Sequence, residues 1–182
     1  MPNLLDKNNS LLLIIDVQEK LVNALNKNVV VSKTQTLTKA AKILGVPVIA
    51  TRQYPKGLGL IVETVSQNFT PDTKIIDKTS FSAVKEEGFM QVLKSFNKKQ
   101  IVICGIETHV CVHQTVAGLI TEGFEVYVVK DACASRNKYE FKQGIECMQA
   151  NGAKISCLEI VLFEWLKDAK NPNFREIQSL IK

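Results

Sequence analysis

Three side chains in this sequence have chemistry that combines. They are the thiol of Cys111, the carboxylate of Asp16 and the ammonium of Lys78. A thiol becomes a nucleophile when a neighbouring base takes its proton and a neighbouring cation holds the charge left behind. Cys111 lies in I-V-I-C-G-I-E-T-H-V-C-V, residues 101–112. The β-branched run that opens this stretch and stops at Gly105 predicts a buried strand and a turn. Val112, Val116, Leu119 and Ile120 then fall at helical spacing, and Thr108 is the expected N-cap. That puts Cys111 in a first helical turn, where unpaired amides favour negative charge. Its thiol is therefore expected to ionise below the ordinary value of about 8.5. Each group also has an ordinary role open to it: a cysteine can be a small buried hydrophobe, and an Asp and a Lys can cap a loop or pair at a sheet edge.

The other chemistry-bearing residues form weaker patterns. Cys104 falls within the strand, and Cys133, Cys147 and Cys157 are scattered with no C-x-x-C spacing. Five cysteines, an odd number, read as reduced thiols rather than a disulfide framework. His109 and His113 are the only histidines. Their i, i+4 spacing can chelate a metal on a helix face, but zinc wants a third and fourth ligand, so packed or interface histidines are expected and no metal. No G-x-G-x-x-G follows the first strand, which disfavours a dinucleotide enzyme.

The elements that must position these residues follow from composition and periodicity. A chain of 182 residues with 46% hydrophobic content suits one domain with a sizeable core. The net charge is +5, but Arg52, Arg136 and Arg175 are the only arginines and the lysines are spread along the chain, so solvated helix faces explain it better than nucleic acid. The first ten residues lack the apolar core of a leader, and the run 11–15 is too short to span a bilayer. A soluble, cytoplasmic protein with a small-molecule substrate is expected.

Buried strands alternate with amphipathic helices. Strands are predicted at 11–15, 46–50, 74–77, 101–104, 125–129 and 154–157. Helices are predicted at 32–44, 88–96, from about Cys111 onward, and at 138–150, with two short helical stretches at 160–167 and 173–181. Residues 51–71, containing Y-P-K-G-L-G, read as a long loop over a site. Regular βα alternation predicts an α/β, doubly wound, Rossmann-like fold: a six-stranded parallel sheet with helices on both faces and right-handed crossovers. In such sheets ligands bind beyond the carboxyl ends of the strands, where the strand order reverses. Asp16 closes strand one, Lys78 follows strand three and Cys111 lies just past strand four, so topology brings all three to one crevice.

The stretches L-L-I-I-D-V-Q-E from Leu12, D-K-T-S-F-S-A from Asp77, V-I-C-G-I-E-T-H-V-C-V from Val102 and D-A-C-A-S-R from Asp131 resemble the signatures of the isochorismatase-like cysteine hydrolases. The resemblance covers nearly the whole chain. It implies that Asp16, Lys78 and Cys111 form a catalytic triad, and that a non-proline cis peptide, Ile106–Glu107, precedes the nucleophile. The backbone N–H groups of Glu107 and Cys111 are then the candidate oxyanion donors. Nicotinamidases of this family carry a D-x-H element and a further His for a metal. Here the region reads T-R-Q-Y-P-K-G-L-G, which with D-A-K-N-P-N-F from Asp168 looks most like the metal-free, isochorismatase-domain-containing branch. The implied activity is hydrolysis of a small amide or ester without a cofactor. The family forms dimers and larger oligomers, and Val161, Leu162, Phe163 and Trp165 make an apolar tail, so a homo-oligomer is expected.

Two other classes stay open. A thiol-based redox sensor would use an activated Cys111, usually with a resolving cysteine nearby. A non-catalytic interaction module would keep the fold but have no need of all three groups.

Overall fold

Uninterrupted apolar runs become strands that are covered on both faces. The computed structural model describes residues 4–25 and 28–182. The first three residues of the amino-terminal stretch read above lie outside the described residues. In chain order, β1 (Ser10–Ile15), α1 (Glu19–Leu25) and α2 (Asn28–Leu44) lead to β2 (Val48–Gln53). Two single-turn helices, α3 (Pro55–Leu58) and α4 (Glu63–Ser66), precede β3 (Lys74–Lys78). A 3₁₀ turn (Ala83–Lys85) and α5 (Phe89–Ser95) lead to β4 (Gln100–Ile106), and a π-helical turn (Thr108–Val112) runs into α6 (His113–Thr121). The chain closes with β5 (Glu125–Ala134), α7 (Lys138–Ala150), β6 (Lys154–Ser156), α8 (Leu158–Leu166) and α9 (Phe174–Ser179).

The six strands are parallel and ordered β3-β2-β1-β4-β5-β6. β1 pairs with both β2 and β4, so the order reverses there and a crevice opens beyond their carboxyl ends. Every residue of β1 and of β4 is buried. α2 packs on β1, β4, β5 and α8, while α6 packs on β5, α7 and the 3₁₀ turn. Right-handed crossovers running in opposite directions from β1 and β4 send those helices to opposite faces.

Local differences from the sequence expectation have physical causes. β2 starts two residues later than expected and runs three further, because Arg52 and Gln53 keep pairing with Asp77 and Lys78. Residues 51–71 are not a plain loop. They carry the end of β2 and the turns α3 and α4, and are tied down by backbone bonds from Glu19 to Leu60 and from Val62 to Val17. β5 continues five residues past Val129 through an irregularity in its pairing with β4, after which Gly105 faces Cys133 and Ile106 faces Ala134. The apolar tail is not free surface: Val161, Leu162 and Trp165 are buried against the chain's own core, and the Trp165 indole N–H donates to Ser10 Oγ at 3.0 Å. Phe163 and Ile160 remain exposed.

Candidate active site

Asp16 is the first residue after β1 and has a left-handed backbone, φ 51°. Aspartate is one of the few non-glycine residues that tolerates this conformation, which turns the chain sharply at the end of the strand. The turn leaves the side chain inside the molecule, with no exposed surface. Its Oδ1 accepts a hydrogen bond from Thr51 Oγ1 at 2.6 Å, and its own amide donates back to that hydroxyl at 3.3 Å. Thr51 lies on β2, the neighbouring strand.

Lys78, the last residue of β3, is equally buried, and its Nζ stands 2.7 Å from Asp16 Oδ2. Nζ also donates to Gln53 Oε1 at 2.6 Å and to the carbonyls of Ser80 and Phe81 at 3.2 Å each. The three N–H groups of the ammonium are thus shared among these acceptors and the Asp16 carboxylate, which stands at the distance of a charge-assisted contact. Gln53 is itself held, by Nε2 donating to Thr79 O and by its amide donating to Gln18 Oε1. Gln18 is fully buried and donates Nε2 to the carbonyls of Gln53 and Gly59.

The third group comes from the far side of the switch point. Cys111 is 7% exposed and lies in the π turn, with its sulfur within hydrogen-bond reach of both Asp16 and Lys78. Burial pushes its thiol up to about 12. The Asp16 charge adds to the rise, and Lys78 opposes it. The expectation of a thiol ionising below about 8.5 is therefore reversed in the resting site. Desolvation and a carboxylate outweigh the ammonium, so the sulfur holds its proton until a base removes it.

The backbone between β4 and the nucleophile is unusual. Gly105 has φ 132°, and any side chain there would overlap the Ile15 carbonyl, so only glycine lets β4 approach β1 this closely. The Ile106–Glu107 peptide bond is cis. Thr108 is not an N-cap. Glu107 occupies the capping position without a side-chain cap bond, its carbonyl accepts from Val110 and Val112, and Thr108 Oγ1 is buried with no hydrogen-bond partner among the described residues. A π turn is wider than an α turn, so its end is not closed by the hydroxyl geometry that caps an α-helix.

His109 is packed, with Nδ1 2.9 Å from Ser135 Oγ, and no group of three or more potential metal ligands occurs among the described residues. A cleft lined by Tyr54, Pro55, Lys56, Thr79 and Glu86 lies over Lys78. Another cavity, lined by Val29, Val30, Cys133, Ser135 and Phe141, includes none of the three. Sequence reasoning missed Thr51, Gln53 and Gln18. The available signal was the alternation of Thr51 and Gln53 at the end of a strand, which puts both on one face.

The isochorismatase domain profile matches residues 10–160. The chain belongs to the isochorismatase family. Isochorismatase family protein 1A of Dictyostelium discoideum is 40% identical over 181 residues, 97% of this chain and 87% of that protein. The secreted isochorismatase effector Isc1 of Phytophthora sojae is 38% identical over 95% of this chain and 84% of its own length. Among solved structures, MAR1 ribonuclease from Caenorhabditis elegans superposes with a TM-score of 0.93 at 34% identity, covering 98% of this chain and 92% of that one. YcaC from Pseudomonas aeruginosa, solved with hexane-2,5-diol and covalent acrylamide, gives 0.93 at 27% identity over 99% and 92%. The Escherichia coli YcaC product, an octameric hydrolase of unknown specificity, gives 0.89 at 27% over 98% and 97%. This isochorismatase-family chain thus has the hydrolase fold of its relatives.

Proposed function

We propose that this protein is a cysteine hydrolase of a small amide or ester, working through Cys111, Asp16 and Lys78 and a thioester acyl-enzyme. The observation that carries the reading is the convergence of the three groups: the Asp16 carboxylate and the Lys78 ammonium are buried 2.7 Å apart, and the Cys111 thiol, which burial keeps protonated, is within reach of both. The Cys111 proton passes to Asp16 Oδ2 as the sulfur attacks the substrate carbonyl carbon, and Lys78 holds the charge developing on sulfur. The tetrahedral oxygen is received by the backbone N–H groups of Glu107 and Cys111. Collapse breaks the bond to the amine or alcohol, which leaves with the proton from Asp16. Asp16 then takes a proton from water, the hydroxide attacks the thioester, and the acid and the free thiol are released. The covalent acrylamide in P. aeruginosa YcaC supports an electrophile-reactive residue in that relative.

No metal or cofactor takes part in this scheme. Five free thiols favour a reducing, cytoplasmic setting, and the octameric YcaC relative favours a homo-oligomer. The redox alternative is weakened by the same thiol, because sensors use exposed thiolates. Cleavage of RNA, the chemistry named for the C. elegans relative, is the competing reading that the same assay tests. The test is a panel of short-chain acyl esters and primary amides, with a single-stranded RNA alongside, assayed on the wild type and Cys111→Ala. The expected result is ester or amide turnover lost in the variant, with an acyl mass added to the Cys111 peptide of the wild type. Turnover that survives in Cys111→Ala, or cleavage of RNA alone, overturns the reading.

A further inference from the structure

The residues on either side of the π turn's entrance are tied to one place, the junction where β5 gives way to α7. Glu107 Oε2 accepts from the Arg136 amide and from Arg136 Nε, both at 3.1 Å. His109 Nδ1 meets Ser135 Oγ at 2.9 Å, and its Nε2 faces Glu140 Oε2 at 3.6 Å. Glu140 Oε2 is buried and has no hydrogen-bond partner among the described residues, and the edge of the His109 ring faces it. With the Ser135 hydroxyl donating to Nδ1, Nε2 carries the hydrogen and turns it toward the Glu140 carboxylate.

The helix behind the ring is fitted to it. Glu140 sits in the first turn of α7, where Asn137 Oδ1 caps its amide. One turn on, a side chain at Gly144 would stand 2.9 Å from His109 Cα, so the absence of a side chain lets α7 lie against the π turn. Ser135 reaches the ring because β5 runs on past Val129 and pairs again with Gly105 and Ile106.

We propose, on the cysteine-hydrolase reading above, that His109 is a positioning residue for Cys111, held by Ser135 and Glu140 so that the π turn keeps the thiol against Asp16. A wide π turn is a less regular support than an α turn, and Cys111 lies two residues beyond His109 within it. Loosening the support moves the sulfur away from its base and opens it to solvent. The two consequences are opposite in sign: transfer of the proton to Asp16 fails, while the relief of burial lets the thiol ionise more easily.

The test measures both consequences in Ser135→Ala, Ser135→Thr and Glu140→Gln, with His109→Ala as a further variant. In Ser135→Ala, kcat on the ester or amide found above is expected to fall about tenfold, the scale of one lost hydrogen bond, with KM unchanged, and in Glu140→Gln, which removes the charge facing Nε2, to fall by less. Alkylation of Cys111 by iodoacetamide, followed by peptide mass spectrometry, is expected to rise several-fold in the same variants, and Ser135→Thr is expected to restore both values. Alkylation within twofold of wild type in folded Ser135→Ala and Glu140→Gln overturns the proposal. If no ester or amide is turned over, the hydrolase reading fails, and the alkylation rates decide the positioning role by themselves. If His109→Ala does not fold, the Ser135 pair carries the test.

Discussion

A buried carboxylate, a buried ammonium and a nearly buried thiol form a neutral set only while the thiol keeps its proton. Charge removal therefore acts in opposite directions at the two ionic members. Asp16→Asn removes the charge that opposes the thiolate, so alkylation of Cys111 is expected to speed up while turnover falls roughly 10²–10⁴-fold for want of a base. Lys78→Met removes the one favourable charge, so alkylation is expected to need higher pH than in the wild type. It also leaves Asp16 without a cation in a site with no exposure, which is expected to cost about 3–5 kcal/mol in a denaturant titration. Labelling that falls equally in both variants, or that prefers Cys104 or Cys133, would refute the assignment of Cys111 as nucleophile.

At the scale of elements, the junction of β1 and β4 is both the switch point of the sheet and the place where Gly105 lies against the Ile15 backbone. Gly105→Ala places a methyl group into the Ile15 carbonyl from a backbone at φ 132°. A loss of about 3 kcal/mol or more is expected in thermal or denaturant unfolding, because neither strand can withdraw without breaking its ladder. β4, β5 and the π turn carry thiols with a pH signature. Burial pushes Cys104 up to about 12, Cys133 is raised by burial and by Cys104, and Cys111 stands at about 12. A thiol raised well above its ordinary value of about 8.5–9 stays neutral in the fold while the unfolded chain ionises. Its contribution is therefore complete below pH 9 and is lost as pH rises toward 12. Each such thiol lowers stability by about 1.4 kcal/mol per pH unit in that window. Denaturant midpoints measured from pH 8 to 11 are expected to fall, and to fall less steeply in Cys104→Ala. A flat profile would show that these thiols are not buried neutral.

On the scale of the whole molecule, the carboxyl-end surface around the candidate site carries exposed Tyr54, Leu60 and Phe81, and α8 presents Ile160 and Phe163. Among the described residues no helix is long and apolar enough to cross a membrane. Apolar side chains left in water at these positions, together with the octameric E. coli relative, favour self-association. Light scattering at micromolar concentration is expected to give a mass of two or more chains, and a strictly monomeric mass would refute the assembly. The tail offers less to such an interface than its composition suggests. Trp165, Leu162 and Val161 serve the core of their own chain, and only the outer face of α8 is available.

The parts of this protein legible in its sequence are those governed by local periodicity. Apolar runs such as Leu11 to Ile15 and Ile101 to Cys104 mark buried strands because only strands covered on both faces lack polar alternation, and their spacing with helices dictates a parallel, doubly wound sheet. That topology was enough to bring Asp16, Lys78 and Cys111 to one crevice. The tertiary structure decided the rest, because it depends on contacts between segments distant along the chain. Thr51 and Gln53 hold the ionic pair from a strand that outran its apolar stretch, drawn on by pairing with β3. The apolar face of Trp165 found its own sheet. The sign of the Cys111 shift was settled in the same way: a helix start favours a thiolate wherever it occurs, but enclosure beside Asp16 opposes it more strongly, and enclosure is a property of the packed molecule alone.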